Sequence, residues 1–369
     1  MKKILCIVGG MNVGGAETFL MKVFRRLDKT KYGMDFAVAE EKDGAYDEEI
    51  RSLGGKIHKI TPKSKSFTRN FKDIKSLVKN EGYEYVLRTS QHSLSALELL
   101  AAKKGGAKVT VYRSSNSDTG TAGKKSVMLH KLCSFMPKRF ANVRIAPSTV
   151  AAEFMFGKGC VAKGKAHILN NGIDTDIFNY NKESADAIRQ EFDLNDKTVF
   201  VHIGRFNYQK NHAFLLEIFA DIVSKKENSV LLLVGKGELE SEIKQKIETL
   251  GIKDKVIFTG VRSDIPHILS AADMFIMPSF FEGMPNTIIE AQATGLPCVI
   301  SDSITKEANI TGLVKYLPLS DSAAVWADTA LSMLTAERKD TLQDFIKNKY
   351  DINSVVDEFK KLIFCDTEV

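Results

Sequence analysis

Short apolar runs and longer amphipathic stretches alternate along almost the whole chain. The short runs are rich in Val and Ile, which is typical of strands that are buried on both faces of a sheet. The stretches between them carry apolar residues at the three- and four-residue spacing of a helix. This alternation predicts an α/β fold, in which parallel strands are joined by crossover helices.

The predicted strands and helices fall into two groups, one in each half of the chain. The strands of the first half are KKILCIV, MDFAVAE, KIHKI, YEYVLR, KVTVYR and VRIAPS, and its helices cover 17–27, 71–80 and 94–104. The strands of the second half are TVFVHIG, SVLLLVG, KVIFTG, MFIMPS and PCVIS, and its helices cover 213–225, 239–250 and 286–293. Each half therefore predicts a doubly wound sheet of its own.

The segment HILNNGIDTDIFN separates the halves, and its Asn-Gly turn followed by polar residues indicates a hinge near Gly172. At 369 residues the chain is long enough for two domains. We place the first domain at 1–172 and the second at 173–351. A final segment, 352–369, contains a helix over 352–364 by its apolar spacing.

Composition indicates a globular protein of a reducing compartment. Hydrophobic residues make up 44% and charged residues 27% of the chain, which are ordinary values. Its five cysteines lie far apart without a Cys-x-x-Cys pair, so neither a disulfide framework nor a zinc site is expected. The N-terminal MKKILCIVGG reads as a strand rather than a signal peptide, and no apolar run reaches the length of a spanning helix. We expect a cytoplasmic protein.

The net charge of +6 is partly local, because one segment combines six cations with many apolar residues. Two interpretations of this segment stay open: a solvated basic face over a core, and peripheral contact with an anionic inner membrane surface. The cations are Lys124, Lys125, Lys131, Lys138, Arg139 and Arg144.

Ligands of open α/β sheets bind at the carboxyl ends of the strands, so the loops that follow strands are the candidate sites. The first such loop, GGMNVGGAETFL, has four glycines, which allow the backbone to approach a ligand closely. Its spacing is neither G-x-G-x-x-G nor that of a phosphate loop, which disfavours a dinucleotide or ATP site. A tight turn without a ligand is the alternative.

The loop in VHIGRFNYQKNHAF places Arg205 and Lys210 between a strand and a helix. Two cations at the carboxyl edge of a sheet suit a diphosphate, although most such loops are ordinary surface. The loop in SFFEGMPNTIIEAQATGLP offers the matching features. Pro285 suits a first helical turn, and the amides of Gly283, Met284, Asn286 and Thr287 would face a phosphate.

Glu282 and Glu290 lie in the same stretch, and Glu282 would be close enough to the phosphate to repel it. We interpret Glu282 as an acceptor for sugar hydroxyls and Glu290 as an acceptor for a ribose hydroxyl. A structural pair of glutamates on a surface helix is the alternative.

These two residues match the Glu-x7-Glu motif of the family 4 retaining glycosyltransferases, and the chain resembles this family over nearly its whole length. The GGMNVGGAE loop, the NNGIDTDIF segment, the GRFNYQKN loop and the region from TGVRSDIP to LPCVISD are similar to family segments in the same order. The resemblance implies the GT-B fold, with two Rossmann-like domains that face each other across a cleft.

The resemblance also implies roles for individual residues. Arg205 and Lys210 would bind the donor diphosphate and, with Glu282 on the sugar, form the catalytic group. Glu290 would hold the ribose, and the final helix would cross back to the first domain. Further donor contacts would come from Gly14, Gly15, Val261, Arg262, Ile265, Gly283, Met284, Pro285, Asn286 and Thr287.

The resemblance further implies a hexosyltransferase that retains the anomeric configuration and needs neither a metal nor a cofactor. Its donor would be a nucleotide sugar, with UDP favoured, and its acceptor a glycan or lipid-linked sugar of surface polysaccharide biosynthesis. The first domain would bind the acceptor and the second the nucleotide sugar. No nucleic acid is expected as a partner.

One departure concerns the sugar side of the site. Many relatives have a histidine after the strand KVTVYR, where this chain has Arg113 and, three residues later, Asn116. Either Arg113 replaces the histidine or the sugar is held differently. His92 follows another strand and is a candidate for the acceptor side. The Asp-x-Asp of 174–176 lies in the hinge, away from the donor loops, so we expect no metal there.

Two alternative functions stay open. A nucleotide-sugar epimerase of the same fold would turn over its donor without an acceptor. An inactive sugar-nucleotide-binding module is disfavoured by the presence of Arg205, Lys210 and Glu282. A redox enzyme is less consistent with the glycine spacing.

Overall fold

The computed structural model describes residues 1–12, 14–115, 124–282, 284–335 and 337–365. The chain forms two compact units, which are Met1–Gly172 together with Ile352–Val369, and Ile173–Asp351. We call them unit 1 and unit 2. No helix among the described residues is long and apolar enough to span a membrane.

Unit 1 contains the first seven strands and the first seven helices. They are β1 (Lys2–Val8), α1 (Gly15–Arg26), β2 (Tyr32–Val38), α2 (Asp47–Ser52), β3 (Ile57–Lys59), α3 (Phe67–Glu81), β4 (Tyr85–Ser90), α4 (Ala96–Gly105), β5 (Val109–Ser114), α5 (Lys124–Leu132), α6 (Met136–Phe140), β6 (Val143–Ala146), α7 (Thr149–Phe156) and β7 (His167–Ile168).

The sheet of unit 1 is parallel, with the strand order β3-β2-β1-β4-β5-β6-β7. Alternate residues of β1 enter different cores, because successive side chains of a strand point to opposite faces. Ile4 and Cys6 belong to one apolar cluster, whereas Leu5 and Ile7 belong to another. Helices therefore cover both faces of this sheet, which explains why its strands read as continuous apolar runs.

Unit 2 contains the other six strands and seven helices, and one further helix returns to unit 1. They are α8 (Lys182–Glu191), β8 (Thr198–Ile203), α9 (His212–Lys225), β9 (Ser229–Val234), α10 (Glu240–Thr249), β10 (Val256–Gly260), α11 (Ile265–Ala271), β11 (Met274–Met277), α12 (Asn286–Ala293), β12 (Cys298–Ser301), β13 (Val314–Leu317), α13 (Ala323–Ser332), α14 (Leu342–Lys347) and, in unit 1, α15 (Ile352–Phe364).

The sheet of unit 2 is also parallel, with the order β10-β9-β8-β11-β12-β13. Val199 and Val201 of β8 pack with α8, α11 and α12, whereas Phe200 packs on the side of α9, α10 and α13. The strand order reverses direction between β8 and β11, which pair through Met274 with Phe200. The predicted α/β class with two parallel doubly wound sheets is confirmed.

Helix α15 completes the core of unit 1. It buries Val355 and Phe359 in the same cluster as α1. Gly172 has a positive φ of 66°, and a Cβ there would lie 2.9 Å from Ile352 Cδ1, so glycine permits both the turn and the close packing. Lys22 Nζ, on α1, donates a hydrogen bond to the Gly172 carbonyl at 2.9 Å and so ties the turn at Gly172 to α1.

Element boundaries differ from the sequence prediction mainly where a side chain caps the first turn of a helix. Helix α3 begins at Phe67 rather than at residue 71, because Ser66 Oγ accepts a hydrogen bond from the Arg69 amide at 3.3 Å. Similarly, Ser148 caps α7, so β6 ends at Ala146, two residues before the predicted end. Helices α12 and α15 have the predicted bounds.

Candidate active site

The loop after β8 presents Lys210 at the end of a 3-10 turn formed by Tyr208–Lys210. The Asn207 side chain caps this turn by accepting from the Lys210 amide at 3.3 Å. The Lys210 stem lies against Gly204, where a Cβ would approach Lys210 Cε to 2.9 Å. Glycine at 204 thus makes room for the lysine stem.

The loop after β11 brings Glu282 to this lysine. Lys210 Nζ lies 2.7 Å from Glu282 Oε1, and the two side chains are only 14% and 9% exposed. The two residues are 72 positions apart in the chain, but β8 and β11 are neighbours in the sheet, so the loops after them meet. The structure therefore joins two of the three predicted catalytic side chains in a hydrogen-bonded ion pair.

Hydrogen bonds between the same two loops hold the pair in register. The Phe280 amide donates to the Gln209 carbonyl at 2.9 Å, and Gln209 Nε2 donates to the Phe281 carbonyl at 2.9 Å. These contacts flank Lys210 and Glu282 directly. Sequence reasoning missed the role of Gln209, because its partners are the backbone amide of Phe280 and the backbone carbonyl of Phe281, which no motif identifies.

Arg205, the third predicted catalytic residue, pairs with a different group. Its side chain is 72% exposed, and its guanidinium lies 3.1 Å from Glu238 Oε2, in the loop after β9. A backbone hydrogen bond, followed by the charge of Arg205, lowers the pKa of Glu238. Arg205 is thus held loosely at the surface, where such an exposed pair is easily exchanged for another anion.

Helix α12 begins immediately after Pro285, which is buried and precedes its first residue, Asn286. Proline has no side-chain oxygen to cap the helix, so the first-turn N–H groups of Asn286 and Thr287 depend on other partners. Met284 packs into the interior, with the Tyr350 hydroxyl 3.9 Å from its sulfur. Gly283 lies outside the described residues.

Glu290 lies in the second turn of α12 and is partly exposed. The orientation of this helix is set by Gln292, which is fully buried. Its Nε2 donates to the Ala308 carbonyl at 2.7 Å, and its Oε1 accepts from the Ile310 amide at 2.9 Å. Gln292 therefore fixes the helix that carries Glu290. The sequence does not predict this role, because polar and apolar residues are mixed around Gln292.

Arg338 supports the far end of the same region. Its guanidinium donates to the carbonyls of Thr294, at the end of α12, and of Leu269 and Ser270, at the end of α11. A cation at helix carbonyl ends is favourable. Burial lowers the pKa of Arg338, and the charge of Asp273 opposes that effect. Like Gln209 and Gln292, Arg338 therefore supports the site without being predicted from the sequence.

The three residues predicted to border the base lie in the loop after β10 and at the start of α11. Val261 is 68% exposed, and Ile265 begins α11. Arg262 forms two-pronged hydrogen bonds with Asp264 and with Glu191, at distances from 2.6 to 3.0 Å. The hydrogen bond to Asp264, then that to Glu191, raises the pKa of Arg262. The Arg262 guanidinium thus holds the loop in place, while the Val261 side chain next to it is exposed.

The glycine loop of unit 1 is close-packed around carboxylates. Gly14 is the N-cap of α1, and Gly15 is its first residue. A Cβ on Gly14 would lie 2.5 Å from Glu17 Oε2. A Cβ on Gly10 would lie 1.9 Å from Glu40 Oε2, so no larger residue fits there without rearrangement.

Arg113 lies at the end of β5 and is buried, with 1% exposure. Its guanidinium stacks on the Phe19 ring at 3.8 Å and donates to Asn171 Oδ1 at 2.5 Å. Burial lowers the pKa of Arg113 to about 9, against the opposing charge of Glu17. Burial also raises the pKa of Glu17. Arg113 is therefore engaged within unit 1.

His92 also uses both ring nitrogens within unit 1. Its Nδ1 accepts from the Leu94 amide at 3.2 Å, so its Nε2 carries the proton and donates to the Ser126 carbonyl at 3.0 Å. These bonds tie the loop after β4 to α5. Asn116, the other candidate on the sugar side, lies outside the described residues.

In the part of the chain that the structure describes, no group of three or more His, Cys, Asp or Glu side chains is placed to hold a metal ion. Within the Asp-x-Asp of the hinge, the Asp174 carboxylate accepts from the Asp176 amide at 3.3 Å, which is a local turn contact.

Two family models match the chain, one in each half. The model described as Glycosyltransferase Family 4 matches residues 13–177. The model described as Glycosyl transferases group 1 matches residues 184–351, which contain Lys210 and Glu282.

Individual proteins that are similar to this chain are also named as glycosyltransferases. EpsF of Bacillus subtilis (strain 168), named as a glycosyltransferase, is 34% identical and covers 94% of this chain and 91% of its own. An Escherichia coli UDP-Gal:alpha-D-GlcNAc-diphosphoundecaprenol alpha-1,3-galactosyltransferase is 31% identical over 63% of this chain and 62% of its own. The structure of Anabaena Alr3699/HepE with UDP and glucose has a TM-score of 0.76 at 18% identity, covering 98% of this chain and 99% of its own. The chain belongs to the family 4 glycosyltransferases of the GT-B fold.

Proposed function

We propose that this glycosyltransferase moves a hexosyl group from a nucleotide-diphosphate sugar to a glycan or lipid-linked sugar acceptor of surface polysaccharide biosynthesis. The observation that carries the proposal is the partly buried pair of Lys210 and Glu282. The names of two similar proteins support a UDP-sugar as donor, because one includes UDP-Gal and the other a complex with UDP. The first of these names also includes a lipid diphosphate acceptor.

The pair suits a donor that carries an anion and a sugar on adjacent atoms. A diphosphate has more negative charge than one carboxylate, so it competes for the ammonium of Lys210. Glu282, which then loses its cationic partner, accepts hydrogen bonds from neutral sugar hydroxyls. We assign Arg205 and the first amides of α12 to the diphosphate as well, and Glu290 to the ribose.

We further propose that the reaction retains the anomeric configuration and needs no metal. Two cations and a helix N-terminus supply positive charge where the diphosphate departs. The acceptor oxygen would attack on the face that the phosphate leaves, with no carboxylate as nucleophile. Catalysis then depends on holding both substrates in position and on stabilising the leaving group.

The donor can be identified by a thermal-shift screen against UDP-, GDP- and ADP-sugars, since a ligand that binds the native state raises its melting temperature. We expect a UDP-sugar to give the largest rise. The anomer of the product, read by proton NMR in buffer with EDTA, then tests retention and metal independence. Conversion of the donor to its epimer without acceptor would instead indicate an epimerase, and binding without any turnover an inactive module.

We also propose that unit 1 contacts the anionic inner surface of the membrane through α5 and α6. Four exposed apolar side chains follow at intervals of one or three residues: Met128, Leu129, Leu132 and Phe135 are 69%, 39%, 73% and 52% exposed. The cations Lys131, Lys138 and Arg139 are exposed beside them. Apolar side chains next to cations suit the boundary between lipid headgroups and acyl chains. We call these seven residues the α5–α6 surface.

The membrane contact can be tested with vesicles that contain phosphatidylglycerol. Leu132→Glu and the double variant Lys138→Glu, Arg139→Glu should each weaken sedimentation with these vesicles about tenfold. Val325→Glu, at a 44% exposed position of α13 in unit 2, is the matched control. Equal sedimentation of the variants and the native protein would remove the proposal.

A further inference from the structure

Unit 2 contains a cavity of about 650 Å³ that is lined by the start of α9, by α10 and by the loop that carries Tyr208. Apolar residues such as Leu216 and Ile243 form much of its wall, and polar and aromatic residues also line it. The polar and aromatic members of the lining are Asn207, Tyr208, Asn211, His212, Glu242, Gln245, Lys246, Thr249 and Phe280.

The two aromatic rings form a platform at the end of the cavity nearest the candidate active site. Tyr208 and Phe280 stack with ring centroids 4.7 Å apart and planes inclined by 20°. Tyr208 is nevertheless 69% exposed, so one of its faces is open to a ligand. An open aromatic face favours a partner with flat apolar C–H groups.

One polar group of the lining is buried and unsatisfied. His212 is 2% exposed, and neither of its ring nitrogens has a hydrogen-bond partner among the described residues. The ring packs edge-on against His202 and Phe206, with ring centroids 4.9 Å away in each case, and both of its nitrogens are covered by protein. Burial, together with the charge of Lys210, lowers the pKa of His212 to about 4, so this part of the lining is neutral.

The platform is connected rigidly to the Lys210–Glu282 pair. Tyr208 opens the 3-10 turn that ends in Lys210, and Phe280 precedes Glu282 by two residues. The amide-to-carbonyl bond from Phe280 to Gln209 ties the two loops at this point. A ligand on the platform therefore lies beside the sugar end of the proposed donor site.

We infer that this cavity binds a carbohydrate, namely sugar units of the acceptor glycan that lie beyond the unit receiving the hexosyl group. The inference rests on the proposed function. A sugar ring combines an apolar C–H face for Tyr208 with hydroxyls for Asn211 and Gln245. A lipid chain would leave these polar groups unsatisfied. A polyanion would meet the carboxylate of Glu242, while the cation of the lining, Lys246, is already paired with Glu217.

Direct binding is measured by saturation-transfer NMR on the full chain, with saturating UDP present to occupy the donor site. The probes are tetrasaccharides of glucose, galactose and N-acetylglucosamine. We expect at least one of them to bind the native protein and to bind Tyr208→Ala about tenfold more weakly. Tyr208→Phe keeps the aromatic face and should bind nearly as well as the native protein. Absence of binding by all three probes would overturn the inference.

A filling variant tests the cavity without touching the catalytic loop. Ala213 is exposed at the start of α9 and lines the cavity, so Ala213→Trp places an indole in it. Carbohydrate binding should be lost. Ala187→Trp, at an exposed position of α8, and Phe67→Ala, at an exposed position of unit 1, are the matched controls and should bind normally. Binding that survives Ala213→Trp and Tyr208→Ala contradicts the inference.

Kinetics distinguish an acceptor from a free oligosaccharide that binds as an effector. If the acceptor occupies the cavity, lengthening it by two sugar units should lower KM in the native protein but not in Tyr208→Ala, with kcat little changed. The same length dependence in both proteins overturns the acceptor assignment. The rise in melting temperature caused by UDP should persist in Tyr208→Ala, and its absence in the native protein would contradict the proposed function rather than this cavity.

Discussion

The carboxyl edges of the two sheets use buried cations in opposite ways. In unit 2, Lys210 meets Glu282 from a neighbouring loop, and both side chains keep some exposure. In unit 1, Arg113 lies at the end of β5 and is covered, stacked on Phe19 and bonded to Asn171. We propose that the pair in unit 2 exchanges partners with the donor, whereas the cation in unit 1 holds its own unit together.

The difference shows what makes a charged loop residue available for binding. When an ion pair between two loops opens, few other contacts are broken. Freeing Arg113 would instead break a cation–π contact and a hydrogen bond in the interior, and would expose a cavity. The following predictions test this contrast.

The largest effect is expected at the pair itself. Lys210→Ala and Glu282→Ala should each reduce transfer about 10²-fold or more, because each removes a group that we assign to the donor. Initial rates with the identified donor and acceptor measure this effect, and far-UV circular dichroism verifies the fold. Undiminished transfer by either variant would overturn the site assignment.

Removing one partner also leaves the other charge partly buried, which can lower stability. The double variant Lys210→Met, Glu282→Gln removes both charges at similar volume and serves as the control. It should unfold at nearly the native urea concentration and still lack transfer. Recovery of activity in this variant would show that the single variants had failed through misfolding.

In unit 1, Arg113→Ala should lower the free energy of unfolding by about 3 kcal/mol, because a fully buried side chain and its hydrogen bond are lost. Arg113→Met fills most of the volume and should cost less. Urea unfolding followed by circular dichroism gives both values. Neither variant should change the rise in melting temperature that a UDP-sugar causes. A folded Arg113→Met that loses transfer as severely as Lys210→Ala would place Arg113 on the sugar and end the contrast.

Acidification should weaken unit 2 through His212. Its folded-state pKa is lowered to about 4, below the ordinary value of 6.5, so the unfolded chain takes up the proton first. Stability is therefore complete above pH 6.5 and is lost as pH falls toward 4, by about 2 kcal/mol at pH 5. His212→Phe should remove this part of the loss, whereas the buried His202 beside it, whose pKa is also lowered well below 6.5, keeps its own contribution.

Trp326 reports this change, because it is the single tryptophan of the chain and is buried in unit 2. Its fluorescence during urea unfolding at pH 7 and pH 5 gives the two free energies. His267→Gln, at an exposed position of α11, is the control and should keep the native pH dependence. A pH dependence that is unchanged in His212→Phe would contradict the assignment.

The smallest effect is expected at Arg205. Its pair with Glu238 is exposed, so Glu238→Gln should lower the KM for the donor only about threefold, by freeing the guanidinium for the diphosphate. The effect should disappear in 1 M salt, where exposed charges are screened. An increase in KM would show that Glu238 positions Arg205 rather than competing with the donor.

The sequence predicts much of the fold, because fully buried strands and their crossover helices leave a clear apolar pattern. It misses β7, which has only two residues, and β13, together with the helices α2, α5, α6, α7, α8, α11, α13 and α14. The meeting of Lys210 with Glu282 followed from the resemblance and from the rule that loops after parallel strands share an edge. The burial of Arg113 could not be predicted, because Phe19 and Asn171, which contact it, are distant in the chain.

The supporting residues were equally hidden. Gln292 and Arg338 bind backbone carbonyls and amides, and such partners are set by the folded path of the chain rather than by any side-chain pattern. Their identification needs the structure, although a glutamine flanked by apolar residues, as in Ala291-Gln292-Ala293, is a signal that could prompt the search.

The most direct test of the central claim separates the two members of the pair by calorimetric binding of UDP and of the UDP-sugar. Lys210→Met should weaken both ligands about 10²-fold, because both carry the diphosphate. Glu282→Gln should leave UDP bound at least as tightly as in the native protein, since a competing carboxylate is gone, while the UDP-sugar loses its advantage over UDP. Equal weakening of UDP and the UDP-sugar by Glu282→Gln, or unchanged UDP affinity in Lys210→Met, would contradict the account.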